Sequence, residues 1–174
     1  MSSSPGAAGP PQSPWPEGRL DAIARLRVVE TAVRGLGTAE RVIEAPYQQV
    51  WDFVSDLENA VPAFDSLVRK MRVRGRTPLR GGGERLDVLS WSTGSPVALP
   101  FDVQMEDGLC LMRARGRLFF VGMAAVPEGP GRTRFRHVEG VPLPGGRLLQ
   151  PVFRRTSRSD LGHLARISSE LGSG

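Results

Sequence analysis

The sequence predicts an α+β domain: a mainly antiparallel sheet followed by one long C-terminal helix. Three observations carry this reading. A strand-to-helix phrase opens the fold at residues 38–63. About six short strand-like segments then follow between turn signals, without the intervening helices of a βαβ unit. Apolar residues finally recur at helical spacing from Leu149 to Leu171. With 174 residues, 40% of them hydrophobic, the chain can bury one sizeable core.

Residues 1–18 are mostly Ser, Pro, Gly and Ala around Trp15, too little apolar surface to offset the entropy of ordering. A disordered tail is expected there. Residues 19–37 read as a helical extension. Leu26, Val29, Val33 and Leu36 share a stripe, and Gly35 and Gly37 supply a stop. Asp21 suits the positive helix end, while the β-branched Val28 and Val29 leave a strand reading open. The domain proper is assigned to 38–171.

Within it, Val42 and Ile43 sit among charges, as on a half-buried strand. Pro46 suits a first helical turn. Val50, Phe53, Val54 and Leu57 follow at helical spacing until Pro62 and Asp65 break the pattern. Residues 68–75 alternate Met71 and Val73 with Lys70, Arg72 and Arg74, which leaves one face wet. Arg80–Gly83 is a glycine turn without the Lys-Ser/Thr of a phosphate loop.

A strand at 84–92 turns through Ser92–Ser95. Val97, Leu99, Phe101, Val103 and Met105 then alternate with Ala98, Pro100, Asp102 and Gln104, and Pro100 argues for an edge strand or a bulge. Asp107-Gly108 leads into a strand at 109–115. Residues 116–126 are apolar on both faces, with Leu118, Phe120, Ala124 and Val126 on one and Phe119, Val121, Met123 and Ala125 on the other. Residues 132–141 set Arg132, Arg134 and Arg136 against Thr133, Phe135, His137 and Glu139. After a break at 142–146, Leu149, Val152, Phe153, Leu164, Ile167 and Leu171 form the final helical stripe, which Gly162 weakens by roughly 1 kcal/mol.

The spacing of Ile43, Ala45, Pro46, Val50, Trp51, Val54 and Asp56 resembles the opening signature of the START-like superfamily. That group includes polyketide cyclases and dehydrases and birch-pollen-allergen-type carriers. The Gly-Arg-Leu-Leu-Gln-Pro run at Gly146–Pro151 is similar to the family's entry into its last helix. The resemblance implies a helix-grip fold, in which the sheet curves around the last helix and a ligand cavity lies between them. It places Val97, Leu99, Phe101, Val103, Met105, Phe120, Phe135 and His137 on the inward strand faces. Val152, Phe153 and Thr156 would face the cavity from the helix, with Phe64 and Trp91 near its mouth. Such a lining suits a small hydrophobic or aromatic molecule. A plainly packed core is the competing reading.

The chain carries a formal net charge of +5 and a pI near 10.8. Lys70 is its only lysine, and the arginines are scattered along the chain, which argues against nucleic acid as a partner. Arg113, Arg115, Arg117, Arg132, Arg134 and Arg136 read as a solvated outer strand face rather than an anion site. Cys110 is alone, so it can form no intrachain disulfide, and it has no sequence neighbour that would clearly activate it. His137 and His163 are not at ligand spacing, so neither metal nor cofactor is expected. Residues 1–18 lack the features of a signal peptide and no apolar run approaches the ~20 residues of a membrane span, giving a soluble cytoplasmic protein as the expectation. A homodimer is left open.

His137 and Glu139, two apart on one strand face, are the candidate acid–base pair. The alternative is an imidazole held in a polar end of the core. Two functional classes therefore stand: a carrier of a hydrophobic ligand, or a cyclase or dehydrase. The second rests on the resemblance, because no cyclase catalytic set maps onto these residues.

Overall fold

The computed structural model describes residues 20–116, 118–142 and 145–171. The expected tail at 1–18, Arg117 and the side chain of Leu171 lie outside the described residues. In chain order come α1 (Ala22–Ala32), β1 (Leu36–Ile43), α2 (Tyr47–Ser55) and the short α3 (Val61–Phe64). Six strands follow: β2 (Val68–Pro78), β3 (Glu84–Ser92), β4 (Ala98–Glu106), β5 (Leu109–Ala114), β6 (Phe120–Pro127) and β7 (Thr133–Gly140). A 3-10 turn at Gly146–Leu149 leads into α4 (Gln150–Leu171). All seven strands form one sheet in the order β1-β7-β6-β5-β4-β3-β2, antiparallel throughout. The α+β helix-grip arrangement is present.

Three local expectations are corrected. Leu36 belongs to β1, not to the first helix: it pairs with Gly140 across the sheet. The helix α1 itself forms, and Asp21 caps it by accepting a 2.7 Å hydrogen bond from the Ala24 N–H. The helix after Pro46 ends at Ser55 rather than near Asp65. Leu57 is buried in the turn beyond it, and Pro62 starts α3 instead of ending α2. Finally, Pro100 lies on an interior strand. Its carbonyl accepts from Arg115 N–H just past the β4–β5 ladder, which begins at Phe101, so the missing proline donor costs no ladder bond.

The outer face of the sheet is covered in part by α1. Ile23 and Leu26 pack with Leu36, Leu109, Phe120, Ala124 and Val138. Leu26 approaches because Gly122 has no side chain: a Cβ there would lie 2.5 Å from Leu26 Cδ1. The docking is fastened by Arg136, which donates to both Glu30 oxygens at 2.7 and 2.6 Å and to Glu40 at 2.6 Å. Three other outer arginines find partners too: Arg134 pairs with Glu128, Arg132 with Glu44, and Arg115 with Asp87 and Asp102.

On the inner face, α4 lies against β1 and β7. The approach is closest at Gly37, where an added Cβ would overlap the backbone of Phe153 and Arg154 and sit 2.6 Å from Phe153 Cβ. Gln150 anchors the helix start by donating to Leu36 O at 2.9 Å.

Gly37→Ala is therefore expected to destabilise by roughly 1–3 kcal/mol or more, since helix and strand backbones must separate. Urea unfolding measures this, and an unchanged midpoint would contradict the close approach. Arg136→Met should cost about 1–3 kcal/mol, less than the ~3–5 of a fully buried pair, because Glu40 is a quarter exposed. Burial opposes ionisation of Glu40, but hydrogen bonds from Arg27 and Arg136 hold its pKa below the ordinary 4.5. Its contribution is thus present above that ordinary value and fades as pH falls through the lowered one. Unfolding curves across the acid range should show a shallower loss in Arg136→Met than in the wild type.

Candidate functional site: an apolar cavity beside a buried acidic cluster

On the β2 side of α4, the inner face encloses a cavity of about 280 Å³. Met71 of β2, Leu99 and Phe101 of β4, Met112 of β5, Phe119 and Val121 make most of its wall. The strand pleat explains the selection: Leu99 and Phe101 share one face of β4, and the intervening Pro100 does not reach it. The polar lining is Asp65, Ser90, Ser92 and Thr93, with Ser90 paired between Met71 and Leu99 in the sheet register. Leu67 and Leu118 also line it and are 39% and 52% exposed, which marks the mouth.

Hydrogen bonds in and to the loop after α3 hold two of these groups, Asp65 and Thr93, in place. Asp65 accepts from the Leu67 N–H at 2.9 Å, and Thr93 Oγ1 donates to Ser66 O at 3.1 Å. Asp65 is nearly buried, and burial together with the Asp160 carboxylate pushes its pKa up to about 7.

Behind it lies a second group, in the core under α4. His137, Glu139, Ser157 and Asp160 are each fully buried. The β7 pleat sends His137 and Glu139 to the inner face, and Ser157 and Asp160 meet them from one side of α4, three residues apart. Ser157 Oγ donates to Glu139 Oε1 at 3.1 Å. The Ser66 N–H and Oγ both donate to Asp160 Oδ1, at 3.2 and 3.1 Å. The remaining carboxylate oxygens, Glu139 Oε2 and Asp160 Oδ2, and both His137 ring nitrogens have no hydrogen-bond partner among the described residues. Phe64 stands edge-on to the imidazole, ring centres 6.4 Å apart.

Burial drives the electrostatics. It lowers the His137 pKa to about 4, so the ring is neutral. Burial, then the charges of Asp65 and Asp160, push Glu139 up to about 8. Asp160 is also raised by burial, against the two Ser66 hydrogen bonds. Cys110 is fully buried and pushed up to about 12, far from a reactive thiolate.

Of the sequence-predicted lining, Leu99 and Phe101 reach the cavity wall. Val103, Met105 and Phe135 are packed in the core, as is Phe64. Phe153 touches the cavity indirectly, through an edge contact with Phe119, ring centres 5.7 Å apart. Four expectations are corrected. Val97 precedes β4 and is 64% exposed, and Val152 lies on the outer side of α4 at 59% exposure. Phe120 faces outward beneath α1, leaving Phe119 and Val121 to face in. Trp91 is on the outer face of β3, opposite Ser90 and Ser92, with Lys70 Nζ 5.4 Å from its ring centre. Thr156 is half-buried and bonds its own helix at Val152 O.

His137 and Glu139 do share a face as expected, but in the core and not on the cavity wall. The cavity residues Met71, Met112, Phe119 and Val121 were missed, as were the polar Asp65, Ser157 and Asp160. The only sequence sign of the last two was a polar pair three residues apart on the face of α4 that also carries Phe153, Leu161 and Leu164.

No protein-family model matches the chain, and no curated protein sequence matches it. Solved structures do. An 18 kDa protein from Caulobacter crescentus superposes with a TM-score of 0.62 at 16% identity, covering 80% of this chain and 99% of that one. The ZhuI aromatase/cyclase from Streptomyces sp. R1128 gives 0.56 at 13% identity, over 77% and 93%. A norcoclaurine synthase point mutant from Thalictrum flavum, in complex with a transition-state analogue, gives 0.53 at 15% identity, over 79% and 95%. At these identities the likeness is one of fold: the chain has the START-like helix-grip fold.

Proposed function

We propose that the chain binds a small hydrophobic or aromatic molecule in the cavity between Met71, Leu99, Phe101 and Met112. One observation carries the reading: a mostly apolar space of about 280 Å³ against the sheet's inner face, with Asp65, Ser90, Ser92 and Thr93 as its polar lining. The volume is at the small end of the ~300–1,000 Å³ typical of ligand pockets. It suits a compact ring system or short chain carrying a hydroxyl or carbonyl toward Ser90, Ser92 and Thr93.

An apolar fluorescent probe is expected to bind one to one and to be displaced by small aromatic compounds. Leu99→Trp fills the space from the wall and should weaken the probe at least tenfold while the far-ultraviolet circular dichroism stays native. Unchanged affinity in that folded variant would place the ligand elsewhere.

A second reading, cyclisation or dehydration of a polyketide-like chain, draws support from Asp65, the one carboxylate on the cavity wall. In that case Asp65→Asn should lower turnover by ~10²–10⁴-fold, the usual worth of a positioned acid or base, with ligand affinity near its original value. A carrier would show no turnover to lose.

A further inference from the structure

We propose that His137 and Glu139 of β7 and Asp160 of α4 form a binding site for one divalent transition-metal ion, of the Zn²⁺ or Mn²⁺ kind. Each offers a donor atom, and these atoms all lie within 4.8 Å of one another. That spread leaves the donors short of direct hydrogen bonding to each other and suits an atom placed between them. Metal–donor bonds of about 2.0–2.1 Å set neighbouring donors roughly 3.4 Å apart in a tetrahedron, a contraction within side-chain reach.

The carboxylates are tethered in the way metal ligands are. Ser157 holds one oxygen of Glu139, and Ser66 holds one oxygen of Asp160 through two hydrogen bonds. The free oxygen of each, with the two unpartnered nitrogens of a fully buried imidazole, remains to bind. Four such orphaned atoms in one buried place are costly unless something satisfies them. A divalent ion would satisfy three of them, the two carboxylate oxygens and one imidazole nitrogen, and would also balance the two carboxylate charges. The imidazole donor disfavours Mg²⁺ and Ca²⁺, which take oxygen ligands, and favours Zn²⁺ and its neighbours, while the two carboxylates suit Mn²⁺. The site is separate from the ligand cavity, whose wall includes none of the three residues.

Zn²⁺ titrated calorimetrically into the chelator-treated full chain should bind one to one. Ser157→Ala, which frees Glu139, should weaken it ~10–100-fold. His137→Gln and Asp160→Asn should weaken it further, while His163→Ala leaves it unchanged. Should those variants fail to fold, the wild type suffices, because the chain has two histidines whose imidazole nitrogens nuclear magnetic resonance can separate. Zn²⁺ should shift the nitrogens of His137. Absence of saturable binding, affinity unaffected by His137→Gln, or a response confined to His163 would each overturn the site and leave protons or water as the cluster's partners.

Discussion

The close backbone approach of α4 to β1 at Gly37 is the constraint on which the arrangement of the inner face depends. Only a residue without a side chain lets the helix come so near. Gly37 is also the cross-strand partner of Glu139. The side chain absent from β1 thus makes room for a carboxylate on β7 to lie beneath the helix and reach Ser157 one turn beyond Phe153. The same contact draws α4 toward the β1–β7 side of the sheet. The inner face of β2 to β5 is left to be covered by smaller pieces, among them α2 and α3 through Val50, Trp51, Val54, Val61 and Phe64. A cavity forms where those pieces do not fill the space.

Two environments result, side by side. One is apolar and opens to solvent past Leu67 and Leu118. The other is polar and sealed, with Asp65 at the boundary between them. The loop residues Asp65 and Ser66 tie the two together. Asp65 lines the cavity, and its neighbour Ser66 fixes Asp160 by two hydrogen bonds. Movement in this loop would therefore be felt in both places.

Much of the fold was legible because its signals are local. Period-two alternation in β4 and β7 put Phe101 and His137 on the inner face, and Pro46 marked the entry to α2. Legibility failed where a second layer changes what burial means. The helix α1 covers the outer face of β6, so that strand is apolar on both sides and Phe120 reads no differently from Phe119. On α4, an apolar stripe was the wrong criterion. The buried side of the helix includes Ser157 and Asp160, whereas Val152 is exposed. Nothing in the chain order pairs Ser66 with Asp160, 94 residues apart. Such a cluster exists only once β7, α4 and the α3 loop are brought together.

The central claim, that the ligand space lies at Met71 and Met112 rather than along α4, can be read from methionine methyl groups. The chain has five methionines; Met71 and Met112 line the cavity, whereas Met105 and Met123 are buried elsewhere in the core. With ¹³C-methyl labelling, titration of a small aromatic compound should shift the Met71 and Met112 resonances saturably and leave Met123 in place. Shifts at Met123 with Met71 and Met112 unmoved, or no saturable shift for any apolar compound, would contradict the account.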